Sequence, residues 1–259
     1  MRKLIHTIFI DPFSQFHKNE PLDKKVLLTF LITAFSLVSI YYLNSIQKAL
    51  GIFYSWGFDQ FTAAVISKIQ QIDDFQLLDL NYWAICSFFF YFIVPALVIK
   101  YYWKENLSSY GLSLKGILKG VKYYGLFLLF MLPLVWMVSH TDQFQNSYPF
   151  YRLNYSNASY QHLVIWECFY FLQFLGLEFF FRGFIVHSLK TRFGYYSVFI
   201  MMIPYCMIHF GKPLPETIGA IFAGIILGSL SLKSNSIWLG VFLHFSVAIA
   251  MDAFAIWNS

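Results

Sequence analysis

Long apolar runs recur between about residue 26 and residue 256, and they limit the folds that this chain can adopt. Each run approaches the roughly 20 residues that an α-helix needs to cross the core of a bilayer. Charged residues make up only 12% of the chain, whereas an ordinary soluble domain carries roughly a quarter. The sequence therefore predicts an all-α, polytopic integral membrane bundle of about seven transmembrane helices.

The apolar runs define the candidate spans and the connections between them. The spans are residues 26–48, 81–102, 119–139, 160–188, 195–210, 214–232 and 237–256. The fourth span is longer than a bilayer requires and should tilt or extend into the interface. The fifth span is short, which is expected of a helix that ends near a buried site. Segment 51–75 mixes apolar and charged residues and predicts an interfacial amphipathic helix, with an eighth span as the alternative. Segment 104–118 is predicted to be a surface connector and 140–158 a loop.

Positively charged residues flank the spans unevenly. With the N-terminus inside, the inside segments hold thirteen Lys and Arg residues, and the outside segments hold only four. The positive-inside rule therefore predicts a cytoplasmic N-terminus and an external C-terminus. We expect a multi-pass protein of the cell membrane, in a bacterium. These flanks also explain the net charge of +5 without a recognition patch, so we expect membrane lipid and no nucleic acid as a partner.

Glu178 and Arg182 lie inside the fourth span, where a charge needs a physical reason. At the centre of a membrane helix a charge costs at least about 2.5–3.5 kcal/mol on insertion scales. The spacing of four residues puts both groups on one helix face, with the glutamate towards the N-terminus, the favoured order for an ion pair. A structural salt bridge would let both groups enter the membrane, but it does not explain why the pair is placed on an aromatic helix.

Two histidines on other spans extend this pattern. His209 ends the fifth span, and His244 lies midway along the seventh. A lone intramembrane histidine usually bonds a neighbouring helix, but two histidines and Glu178 together are the groups needed to bind and deprotonate a water. They could act by general-base catalysis, or through a divalent metal such as zinc held by all three. We predict that they converge in one cavity opening within the membrane.

Three further carboxylates accompany these groups. Glu167 shares the helix face of Glu178 and is expected to bond a neighbouring helix or to extend a polar path. Asp252 could orient His244, or it could lie solvated near the outer interface. Glu216 is predicted to cap the start of the sixth span, whose small residues predict close helix packing. The small residues are Gly219, Ala220, Ala223, Gly224 and Gly228.

The order and spacing of these residues resemble the CPBP family, the CAAX prenyl protease and bacteriocin-processing (Abi) intramembrane proteases. The family's motifs are Glu-Glu-xxx-Arg, Phe-xxx-His and His-xxx-Asn, and the resemblance covers about residues 160–256. It places Glu178 at the second glutamate and Arg182 at the arginine of the first motif. His209 and His244 stand at the histidines of the other two.

Three positions depart from the family's motifs. Tyr205 replaces the phenylalanine of the second motif, which is a mild change. Leu177 replaces the first glutamate, usually assigned as the water-activating base, and Ala248 stands where the family often has the oxyanion-stabilising asparagine. Leucine can neither take a proton nor ligate a metal. The neighbouring arginine would also make Glu178 a weaker base than an unpaired carboxylate.

The resemblance implies an intramembrane endopeptidase that cleaves a membrane-associated or prenylated peptide. Glu178 and His209 would activate water, His244 would help to bind the substrate carbonyl or the metal, and Arg182 would fix Glu178. The alternative is a non-catalytic membrane scaffold or immunity-type protein that keeps the fold for partner binding. A proton-coupled carrier is a third reading, disfavoured because the chain shows no paired broken helices or duplicated halves.

The resemblance also suggests a division of the chain. Residues 1–25 form a cytoplasmic N-terminal segment, and residues 26–158 form N-terminal membrane helices with their connectors. Residues 159–259 form the helical core that carries the family's motifs.

Overall fold

The computed structural model describes residues 22–114, 117–153 and 158–258, and for residues 117–120 only the backbone. Most of the predicted N-terminal segment, residues 1–21, lies outside this range. The helices are α1 (Lys24–Leu43), α2 (Ile46–Ser55), α3 (Asp59–Ile69), α4 (Phe75–Tyr102), α5 (Ile117–Val138), α6 (Asp142–Ser147), α7 (Tyr160–Phe193), α8 (Tyr196–Met207), α9 (Leu214–Ser234) and α10 (Trp238–Trp257). The described residues contain no β-strand, so the predicted all-α class is confirmed.

Seven apolar helices match the seven predicted spans. Six of them, α1, α4, α5, α7, α9 and α10, are long and apolar enough to cross a membrane. The seventh, α8, has only 12 residues, as the short fifth apolar run predicts. Helix α7 extends over 34 residues, more than a bilayer requires. The prediction of a polytopic membrane bundle is therefore confirmed, with six helices in the described residues, rather than about seven, long enough to cross a membrane.

Two predicted boundaries in the first third of the chain are wrong. Helix α1 ends at Leu43 rather than at residue 48, because the Ser45 side chain caps a new helix there. Segment 51–75 is also not one helix, since α2 and α3 are separated by a turn at Gly57. The φ angle of Gly57 is +85°, a conformation that favours glycine. Both helices are too short to form an eighth span.

A hydrogen-bonded cluster fastens the loop before α7 to the starts of α4 and α7. Asp74 accepts from the backbone N–H of Leu77 and from the Tyr151 hydroxyl, and it lies 2.7 Å from His162 Nδ1. Burial alone would raise the pKa of the Asp74 carboxyl. The hydrogen bonds from Tyr151, Leu77 and His162 outweigh that effect and hold the pKa below its usual range. A charged Asp74 thus anchors both helix ends.

An aromatic core surrounds the middle of α7. A π-helical stretch there, Phe179–Ile185, contains four phenylalanines that are fully buried. Phe180 stacks on Tyr91 of α4 with ring centroids 4.7 Å apart, and Phe181 meets Tyr205 of α8 edge-on at 5.3 Å. Such aromatic pairs add about 0.5–1.5 kcal/mol beyond the burial of their area. The middle of α7 is therefore held inside the bundle.

Small residues let α9 pack closely against α8, as predicted. A Cβ atom at Gly228 would lie 2.8 Å from a methyl carbon of Val198 and 2.9 Å from Met201 Cε. A Cβ at Gly224 would lie 3.0 Å from Met202 Cγ. This close packing brings α8, which ends two residues before His209, against α9.

Candidate active site

Glu178 and Arg182 form an ion pair within the bundle. Both residues are 0% exposed, and Arg182 Nη1 lies 3.0 Å from Glu178 Oε1. The N–H of this nitrogen is not aligned for a hydrogen bond, so the contact is an ion pair only. The guanidinium carbon also lies 3.8 Å from the centre of the Tyr205 ring, a cation–π contact. Each charge is thus compensated inside the protein, as a buried charge requires.

His244 of α10 contacts the same carboxylate oxygen. Its Nδ1 lies 3.0 Å from Glu178 Oε1, and its ring rests against Phe174 with centroids 4.6 Å apart. Because a carboxylate can only accept, Nδ1 is the donor, and in the tautomer with hydrogen on Nδ1 the other nitrogen, Nε2, is the acceptor. The His244 side chain is 19% exposed whereas that of Glu178 is 0% exposed. Of this pair, the histidine is the member that is accessible from outside the core.

His209 joins the cluster through Tyr205. Its Nδ1 donates to the backbone carbonyl of Tyr205 at 2.8 Å, which again leaves Nε2 as the acceptor. The Tyr205 ring has centroid distances of 4.8 Å to His209 and 6.3 Å to His244. The structure therefore brings Glu178 and His244 into direct contact, and the Tyr205 ring lies next to both histidines. Within the described residues, no hydrogen bond or ion pair joins His209 to Glu178.

The described geometry does not bring Glu178, His209 and His244 together as a three-ligand metal site. Oxygen Oε1 of Glu178 is already in contact with Arg182 and His244, and Oε2 has no hydrogen-bond partner among the described residues. In the same part of the chain, no group of three or more His, Cys, Asp or Glu side chains is placed to hold a metal ion. Metal binding by Glu178, His209 and His244 stays a prediction. An imidazole whose Nδ1 is held by a carboxylate and whose Nε2 is open can accept a proton from water.

Apolar side chains fill two of the three positions where the chain departs from the family's motifs, Leu177 and Ala248. Leu177 is buried in the aromatic core around the middle of α7. Ala248, one turn after His244, is buried in a second cluster that includes Trp166 and Tyr170. Neither position supplies a proton acceptor or a hydrogen-bond donor to the site.

Two of the accompanying carboxylates have surroundings that differ from the prediction. Asp252 is 2% exposed, so the predicted solvation is wrong, and neither of its oxygens bonds His244 or another described residue. Its carboxyl group lies instead within interaction distance of Glu167 on α7. Glu216 lies in the first turn of α9, but its carboxylate accepts from the Tyr148 hydroxyl at 2.8 Å and caps no backbone N–H. Tyr148 comes from a distant loop, and no local sequence signal indicates that contact.

The comparison with known families bears on the same residues. Residues 159–250 match the family model for Rce1-like proteins, described as type II CAAX prenyl endopeptidase Rce1-like. The resemblance to the CPBP family is confirmed. The matched region contains Glu178, Arg182, His209 and His244, and it covers a little over a third of the chain. No curated protein and no solved structure matches the chain.

Proposed function

We propose that this protein is an intramembrane endopeptidase of the CAAX-protease type that hydrolyses a membrane-associated or prenylated peptide. The observation that carries the proposal is the 3.0 Å contact between Glu178 Oε1 and His244 Nδ1, which lies inside the matched region. A buried carboxylate that holds the Nδ1–H of an imidazole fixes the tautomer and the orientation of that ring. The same arrangement prepares Nε2 of His244 to act as a general base.

The reaction in this arrangement is a hydrolysis with His244 as the proton carrier. Nε2 of His244 takes a proton from a water molecule while the water oxygen attacks the peptide carbonyl carbon. The C–N bond then breaks, and the proton passes from His244 to the leaving nitrogen, so that the products are a carboxylic acid and an amine. The acid then gives its remaining proton to the amine, which leaves a carboxylate and an ammonium group. The Glu178 carboxylate faces the imidazolium that forms and stabilises it, and Arg182, which contacts the same carboxylate oxygen, holds that carboxylate in place.

These roles differ from the interpretation of the sequence, in which Glu178 itself deprotonates the water. The carboxylate is fully buried, and its Oε1 already lies 3.0 Å from both Arg182 and His244. A carboxylate that neutralises an arginine is a weak base. His209 lies against the same Tyr205 ring as His244, and its Nε2 would help to orient the attacking water.

Hydrolysis of a membrane-peptide library tests this proposal. Purified wild-type protein in lipid nanodiscs should create new peptide termini, detected by mass spectrometry, from peptides with and without a prenyl group. The variant His244→Gln should create none. His140→Gln is the matched control, because His140 is exposed and its Nδ1 bonds only a carbonyl of its own helix. Cleavage that is equally strong in His244→Gln would contradict the assignment.

The burial of Glu178 and the apolar residues at Leu177 and Ala248 favour a second function, a non-catalytic membrane scaffold or immunity-type protein. Such a protein would keep the ion pair and the fold without hydrolysing any peptide. The variant Leu177→Glu separates the two functions in the same library, because it supplies the family's first carboxylate. Turnover per folded molecule that appears only in Leu177→Glu would identify the wild type as a scaffold derived from a protease.

We also propose that the protein lies in the cell membrane with a cytoplasmic N-terminus and an external C-terminus. In a variant without its three native cysteines, a cysteine at Asn258 should react with a membrane-impermeant reagent added to intact cells. A cysteine at Ser109, in an exposed inside connector, should react only after permeabilisation. The reverse labelling pattern would contradict this topology.

A further inference from the structure

Gly240 lies one turn before His244 on α10, and the Glu178 carboxylate contacts both residues. Oxygen Oε1 lies 3.0 Å from His244 Nδ1, whereas Oε2 occupies the space that a Cβ atom at position 240 would fill. The carboxyl carbon would lie only 3.0 Å from that Cβ. Residues four apart share one helix face, so Gly240 and His244 both face Glu178. A different oxygen of the Glu178 carboxylate contacts each of them.

We propose that Gly240 is a positioning residue, which sets how closely Glu178 approaches His244. This inference rests on the proposed function, because it concerns the same pair. Any side chain at position 240 would push the carboxylate away from α10. The carboxylate has no open space to enter, since Glu178 is 0% exposed and Arg182 lies 3.0 Å from Oε1. Its displacement would therefore break the contact with His244.

The surroundings of Oε2 indicate that stability alone does not account for this glycine. The oxygen is buried, and no donor among the described residues reaches it. Against α10 it faces the glycine backbone, which offers at most a weak Cα–H contact. A buried acceptor without a hydrogen bond is unfavourable. Such an arrangement is expected where the geometry of a site, rather than the stability of the fold, sets the position of a side chain.

The variant Gly240→Ala tests the proposal, with Gly219→Ala as the matched control. Gly219 also lies in a membrane helix, but a Cβ there would meet no atom within 4 Å. We expect Gly240→Ala to lose turnover by on the order of 10²-fold, because displacements near 1 Å have effects of that size. Nitrogen NMR of the histidine rings should also show that His244 loses its Nδ1–H form. Gly219→Ala should match the wild type in both measurements.

The NMR measurement keeps this proposal separate from the proposed function. If the wild type has no turnover, the proposed peptidase function is wrong. A change of the His244 NMR signal in Gly240→Ala, but not in Gly219→Ala, would still support the role of Gly240. An unchanged His244 signal in Gly240→Ala would overturn it.

A double variant covers the outcome in which Gly240→Ala does not fold. Aspartate at position 178 is shorter by one methylene and leaves room for the new methyl group. Recovery of folded protein with the Nδ1–H signal in Gly240→Ala/Glu178→Asp would support the proposal. Failure of that double variant to fold, while Glu178→Asp alone folds, would overturn it.

Discussion

Replacing Arg182 with methionine is expected to lower the free energy of unfolding by about 3–5 kcal/mol. The change leaves the Glu178 carboxylate buried without its cation, and an uncompensated buried charge is strongly unfavourable. Denaturation of the purified protein in detergent micelles measures the loss. The double variant Arg182→Met/Glu178→Leu should recover most of it, since exchanging a whole buried ion pair for apolar groups is often neutral.

An exposed ion pair in the same protein provides the control for this measurement. Lys25 Nζ lies 2.8 Å from Glu105 Oε1, but the two side chains are 32% and 40% exposed. Lys25→Met should therefore lower the free energy of unfolding by only about 0–1 kcal/mol. Equal losses from Lys25→Met and Arg182→Met would contradict the role given to the buried pair.

Replacing Glu178 with glutamine is expected to reduce turnover by about 10²–10⁴-fold. The amide keeps the shape of the side chain, and its oxygen can still accept from His244 Nδ1 at the position of Oε1, which Arg182 also contacts. It carries no negative charge, however, so it no longer stabilises the imidazolium that forms when His244 takes a proton. The quantity to measure is turnover per folded molecule, because the same change weakens the partner of Arg182.

Glu216→Gln is the matched control, since its carboxylate is bound by Tyr148 and lies outside the proposed site. It should keep the turnover of the wild type. If well-folded Glu178→Gln also keeps the turnover of the wild type, the catalytic role proposed for Glu178 and His244 is wrong.

The sequence predicts the helical bundle well because hydropathy alone decides which segments can cross a bilayer. Even the short α8 follows from its apolar run. The boundaries that sequence analysis misplaces depend on local backbone chemistry. Ser45 starts a new helix through a side-chain cap, and Gly57 turns the chain between α2 and α3. Both effects involve single residues inside segments of mixed polarity, where apolar periodicity gives no clear signal.

The candidate site is only partly predictable for a different reason. Spacing within one helix predicts the ion pair of Glu178 and Arg182, because residues four apart meet on one face. The contacts of Glu178 with His244 and Gly240 depend on how α7 and α10 pack, which no local pattern encodes. The spacing of four between Gly240 and His244 is visible in the sequence. Its role becomes clear only from the structure, in which the Glu178 carboxylate contacts both residues.

The most direct test of whether the Glu178–His244 pair activates water is cleavage in water enriched in oxygen-18. The measured quantity is the oxygen-18 that enters the cleaved peptides. Peptides cleaved by the wild type should carry one heavy oxygen in each new C-terminal carboxylate, as mass spectrometry would show. In His244→Gln the rate of this incorporation should fall by at least about 10²-fold while the protein stays folded. New termini without the heavy oxygen, or an unchanged rate in folded His244→Gln, would contradict the proposed mechanism.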